Sequence, residues 1–141
     1  MAIRQIVVAY DGSPPAARAL DFAAQLAEAF HSSLTLVHVV QIPMSTPEAI
    51  PAWGELLLTE ERAGRVLLQE ALKSIRKRRI KVETEVVLGD PADKVTELAS
   101  REGVDLVAAG TTGKHALKRV LLGSVTTRLL HICTKPLLVV P

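Results

Sequence analysis

Five short runs of apolar, often β-branched residues recur along this chain, and between them lie segments with the spacing of amphipathic helices. The runs are Ile6 to Tyr10, Leu34 to Val40, Val82 to Leu88, Leu106 to Gly110 and Leu137 to Val140. Runs of this length and composition read as strands. Those at Ile6, Leu106 and Leu137 are apolar almost throughout, as a parallel strand covered on both faces must be. In the third run Val82, Thr84 and Val86 alternate with Glu83 and Glu85, so one face stays wet and an edge strand is predicted. Strand alternating with helix up to a fifth strand predicts an α/β fold, a doubly wound parallel sheet with helices on both faces.

The helical segments carry their own punctuation. Ser13 then Pro14 starts the first, whose stripe is Leu20, Ala24, Ala27 and Phe30, and His31 closes it. The second follows Thr59, Glu60 and Glu61, carries Leu68, Leu72 and Ile75, and ends at the basic run Arg76, Lys77, Arg78 and Arg79. Asp90 with Pro91 opens the third, which turns Val95, Leu98 and Ala99 inward and stops near Gly103. The fourth starts near Ser124 with Val125, Leu129 and Ile132 inward, and Pro136 then forces an extended chain. The stretch from Gln41 to Leu58, with Pro43, Pro47 and Pro51, has no such pattern and is predicted to be a mobile flap.

At 141 residues with 48% hydrophobic side chains, the chain is expected to form one domain, residues 1–141, around one core. Cys133 is the only cysteine and is expected to be an ordinary buried residue. The net charge is +2, and the one basic run reads as a solvated helix end. Aromatic residues make up only 3%, too few for the stacking platforms of single-strand binders, so no nucleic acid partner is expected. Met1 leads directly into Ile3 and Ile6, and no apolar stretch approaches the ~20 residues of a membrane span. No membrane partner and a cytoplasmic location are therefore expected.

In open α/β sheets ligands sit beyond the carboxyl ends of the strands, where the strand order reverses. Asp11-Gly12-Ser13 follows the first strand. Gly110-Thr111-Thr112-Gly113 follows the fourth, with Gly123-Ser124 further on. A strand order of 3-2-1-4-5 would bring these loops together, whereas 2-1-3-4-5 would part them. Glycines at 110 and 113 let backbone amides approach a ligand, and a helix opening at Gly123-Ser124 favours anions. Ser124 and Thr126 add hydroxyls there, and Lys114, Lys118 and Arg119 add charge. A carboxylate at Asp11 suits ribose hydroxyls better than phosphates. Taken singly, each of these is an ordinary turn or cap; together they describe a nucleotide site. No G-x-G-x-x-G follows the first strand, and Gly113-Lys114 lacks the other residues of a P-loop.

The spacing Gly110-x2-Gly113-x9-Gly123-Ser124, with Asp11 ending the first strand, resembles the ATP-binding branch of the universal stress proteins. The likeness runs the length of the chain, through His38-Val39, Gly89-Asp90-Pro91 and the last strand. It implies a five-stranded sheet of order 3-2-1-4-5. It implies ribose at Asp11 and Gly110, adenine against Val39 and the backbone of Ala9 and Tyr10, and phosphates at Gly113, Gly123, Ser124, Val125 and Thr126. Ala109 joins this set beside Gly110, and His115, inside the phosphate loop, could touch a phosphate. ATP with Mg²⁺ or Mn²⁺ bridging the phosphates is the implied cofactor, and a homodimer through Leu137 to Val140 the implied assembly. His31, His38 and His131 read as structural and no catalytic pair is evident, so slow hydrolysis at most is expected of a nucleotide-dependent stress regulator acting on a downstream protein partner. An ATPase or phosphotransferase with true turnover, a binder of another adenine nucleotide such as cyclic AMP, and a ligand-free dimeric scaffold are the alternatives.

Overall fold

The computed structural model describes residues 2–41, 50–113 and 122–141. Strands β1 (Gln5–Ala9), β2 (Ser33–Val40), β3 (Val82–Leu88), β4 (Val104–Gly110) and β5 (Leu137–Val140) alternate with helices α1 (Pro14–Phe30), α2 (Ile50–Lys73), α3 (Pro91–Ala99) and α4 (Ser124–Ile132). All neighbouring strands are parallel, in the order β3-β2-β1-β4-β5. Of the two orders left open by the loops alone, this is the one that makes β1 and β4 neighbours.

Alternation along the strands splits the core between two layers. Ile6 and Val8 point to one face, where they meet Leu20 of α1 and Leu68 of α2. Val7 points to the other, where it meets Val95 of α3 and Leu129 of α4. The buried side of α1 consists of Leu20 and alanines at 16, 19, 23, 24 and 27, short side chains that let the helix lie close on the sheet. β3 lies at the edge, as its half-wet pattern predicts, and Glu85 there pairs with Arg101 at 2.7 Å.

Both side-chain caps read from the sequence form. Ser13 Oγ accepts from the amide of Ala16, and Asp90 Oδ2 from that of Asp93. Several expectations need correction. α2 begins at Ile50, ahead of Thr59, because proline is tolerated in a helix's first turn and Pro51 falls there. Residues 50–58 of the predicted flap are thus helical, and 42–49 lie outside the described residues. α2 ends at Lys73, so the basic run occupies the turn after it, where Arg78 bridges Asp21 and Glu28 of α1. α3 ends at Ala99 with Ser100 as its cap, and Gly103, at φ 93°, serves the turn into β4. Phe30 is half exposed, since the alanine face of α1 points elsewhere, and Cys133 is only partly buried.

Candidate functional site

The strand order reverses between β1 and β4, and a cavity of about 870 Å³ opens there beyond the carboxyl ends of the strands. Ala9, Tyr10 and Asp11 enter it from β1, Val39 from β2, and Ala109, Gly110 and Gly113 from β4 and its loop. Gly123, Ser124, Val125 and Thr126 complete it from the start of α4. His115, Lys114, Lys118 and Arg119 lie outside the described residues.

The loops after β1 and β4 touch. Gly12 takes φ 83°, which lets Asp11 Oδ1 accept from the amide of Ser13 at 2.9 Å. A Cβ placed on Gly113 would lie 3.0 Å from the other carboxylate oxygen of Asp11, so the glycine backbone and the acid face each other directly. The amide of Gly123 donates to the carbonyl of Thr111 at 2.7 Å, folding the start of α4 back onto the same loop. Thr126, buried, donates its hydroxyl to the carbonyl of Gly110 at 2.6 Å and ties α4 to the end of β4. Its hydroxyl hydrogen is thereby committed, leaving its backbone amide for the cavity.

α4 starts differently from its neighbours. α1 and α3 each have a capping side chain, but the cap of α4 is Gly123, which has none to offer. The first bond within the helix runs from the amide of Thr127 to the carbonyl of Gly123. The amides of Ser124, Val125 and Thr126 therefore have no helical acceptor, and these residues line the cavity. With the positive end of the helix dipole they form an anion-binding surface.

At the opposite end of the cavity Val37, Val39, Val40 and Leu56 surround directed backbone groups. The amide of Ser33 donates to Arg4 on the β1 side and the carbonyl of Val37 accepts from Tyr10, whereas the carbonyl of Val40 accepts from Gly89 on the β3 side. Successive residues of a strand point their backbone groups to opposite neighbours. The N–H and C=O of Val39 therefore face the β1 side, past the point where β1 pairing ends at Ala9 opposite Val37. One donor and one acceptor thus open together into the crevice. His38 Nδ1 donates to the carbonyl of Tyr10 at 2.9 Å, pinning the ends of β1 and β2 together. Burial, then the Asp11 charge, push the Tyr10 phenol above its ordinary range, so it is neutral at physiological pH.

One wall was not legible from the sequence. Leu56, Glu60, Ala63, Gly64 and Leu67 of α2 line the cavity, and their spacing of three and four residues is that of one helix face. The available signal was Gly64 inside a helical period, which marks a close approach. His31 and His131 close α1 and α4 and do not line the cavity. Among the described residues, no group of three or more His, Cys, Asp or Glu side chains could hold a metal ion. Among them also, no helix is long and apolar enough to cross a membrane.

Comparison with known proteins bears on this geometry. The sequence model of the Universal stress protein family matches residues 2–141. Universal stress protein MJ0531 of Methanocaldococcus jannaschii is 36% identical, the match covering 97% of this chain and 81% of that protein. Among solved structures, universal stress protein UspA from Lactobacillus plantarum superposes with a TM-score of 0.92 at 24% identity, over 100% of this chain and 99% of that one, which speaks for the fold. A universal stress protein in complex with cAMP is 27% identical, with a TM-score of 0.71 over 99% of this chain and 98% of that one.

Proposed function

The chain belongs to the universal stress protein family, and from that premise we propose that it binds ATP between β1 and β4, as a nucleotide-dependent regulator in stress response. The observation that carries this reading is the pairing, within one cavity, of three uncapped α4 amides at one end with the open donor and acceptor of Val39 at the other. A donor beside an acceptor matches adenine, whose N1 accepts and whose 6-amino group donates. Ala9, Tyr10 and Ala109 enclose the base, and Asp11 with Gly110 holds the ribose. Gly113, Gly123 and the amides of Ser124, Val125 and Thr126 take the phosphates, with His115 in the same loop. A Mg²⁺ or Mn²⁺ ion would be held chiefly by the phosphate oxygens. The cAMP held by a relative supports an adenine nucleotide as the class of ligand.

Occupancy rather than rapid turnover is the proposed mode of action. Ser13 Oγ caps α1 and His38 Nδ1 bonds the carbonyl of Tyr10, so the two are not hydrogen-bonded to one another as a nucleophile and its base would be. ATP would set the preference for a downstream protein partner, in a cytoplasmic setting. Calorimetry with ATP and Mg²⁺ tests the binding. The native chain is expected to bind, and Gly113→Val, still folded by circular dichroism, to bind about 100-fold more weakly, because its side chain intrudes on Asp11. Absence of ATP binding to the native chain would overturn the reading, and stronger binding of cyclic AMP than of ATP would replace the ligand.

We further propose a homodimer through β5. The amides of Val107 and Thr111 donate to the carbonyls of Pro136 and Val140, so the backbone groups of Leu137 and Val139 point away from β4. Among the described residues no strand pairs on that side. Apolar residues flank the edge. Arg18 of α1 donates to the carbonyl of Pro141, and Phe22, one turn on, is half exposed. Leu130 of α4 is half exposed on the side away from Arg128, which reaches α3 through Asp90 and Asp93. An unpaired apolar edge of this kind calls for a partner strand. Val139→Pro removes an outward N–H while leaving the β4 ladder intact. Sedimentation velocity is expected to show a dimer for the native chain and a folded monomer for the variant; equal sedimentation of the two would exclude this interface.

A further inference from the structure

α2 overhangs the site. Its 24 residues span about 36 Å, whereas the 7 residues of β3 span about 23 Å. Gly64 marks where the helix leaves the sheet: a Cβ there would lie 2.7 Å from His38 Cδ2 and 3.2 Å from Val86 Cγ1, close to the last residues of β2 and β3. The turns before Gly64 therefore stand above the end of β2, and Leu56, Glu60 and Ala63 face the cavity alongside Val39, Val40 and Gln41.

Glu60 is the charged side chain that α2 contributes to this wall. Its neighbours three and four positions away along the helix are Leu56, Leu57, Ala63 and Gly64, none of which can pair with a carboxylate. Among the described residues nothing hydrogen-bonds or ion-pairs with it, whereas adjacent Glu61 pairs with Arg65 at 2.6 Å. The glycine that lets α2 approach His38 is the same residue that leaves Glu60 without a cation one turn away.

We propose that Glu60 determines base specificity, accepting a hydrogen bond from the exocyclic amino group of a 6-aminopurine and rejecting a 6-oxopurine. This rests on the adenine-nucleotide reading above. A 6-amino group carries two hydrogens. The carbonyl of Val39 takes one, and the carboxylate standing over the same end of the cavity takes the other. A 6-oxo group would instead set its lone pairs against the carboxylate, a repulsive contact with no hydrogen between. The same negative charge turns the polyphosphate away from α2 and towards the α4 amides, so Glu60 also sets which way round the nucleotide enters.

Calorimetry with ATP and ITP, on the native chain, Glu60→Gln and Glu61→Gln, tests the assignment. Glutamine keeps the helix propensity and can turn its amide hydrogens towards an O6 atom. The native chain is expected to favour ATP, Glu60→Gln to narrow the ATP-to-ITP ratio about tenfold, and Glu61→Gln to keep it. Glu60→Ala should weaken ATP binding and leave ITP no weaker. An unchanged ratio in Glu60→Gln, with ATP still bound, overturns the role of Glu60 alone. Binding of neither nucleotide to the native chain brings down the adenine reading and this proposal together.

Discussion

Gly110→Ala is expected to destabilise the protein by about 3 kcal/mol and to lower its melting temperature by roughly 10 °C. The added Cβ would lie 2.7 Å from Pro15 Cβ, 2.8 Å from Pro15 C and 2.9 Å from the amide nitrogen of Ala16. Two of these neighbours are backbone atoms in the first turn of α1, held by the Ser13 cap and by proline rings, so no side chain can swing aside. Restricting the unfolded chain favours alanine by only about 0.4–1 kcal/mol, too little to offset the overlap. Gly54 is the control. A Cβ there meets nothing within 4 Å, and in a helix alanine should raise stability by up to about 1 kcal/mol. Thermal melts of both variants decide it; similar melting temperatures would mean that α1 does not press on β4 as described. Gly110→Ala should also weaken nucleotide binding, since the displaced turn leads directly from Asp11.

Leu129→Ala is expected to cost about 3–4 kcal/mol, read as a lower urea midpoint with an unchanged m-value. Leu129 is fully buried among Val7, Val107 and Ala109, beneath a helix of 9 residues. A helix that short is unstable in isolation and exists because it packs. Losing its anchor loosens the helix at the end that presents Ser124, Val125 and Thr126, so ATP affinity should fall along with stability. A midpoint within experimental error of the native value would show that α4 is held by the Thr126 to Gly110 bond rather than by Leu129.

Much of this architecture was legible before the structure because its signals are local. Ser13 and Asp90 cap their helices by bonding amides three residues away, and the unbroken apolar runs at Ile6 and Leu137 announce parallel strands. The glycines at 110, 113 and 123 stood out by spacing alone and do line one cavity. Other features depended on distant contacts. Pro43, Pro47 and Pro51 made residues 41 to 58 read as irregular, yet α2 starts at Ile50. Phe30 fits the apolar stripe of α1 by periodicity but lies at its margin, half exposed.

The sequence by itself determined the elements, their parallel pairing and the residue types at each loop, since capping, periodicity and turn chemistry act within a few residues. The residue pattern alone left open whether β1 lies beside β4, an order that the family resemblance implied and the tertiary structure shows; only the tertiary structure decided that Asp11 meets Gly113 and that Glu60 stands over the end of β2. Those relations join residues tens of positions apart. They follow from which strands pair and how closely a long helix approaches a short sheet, matters of packing between surfaces that no local pattern encodes.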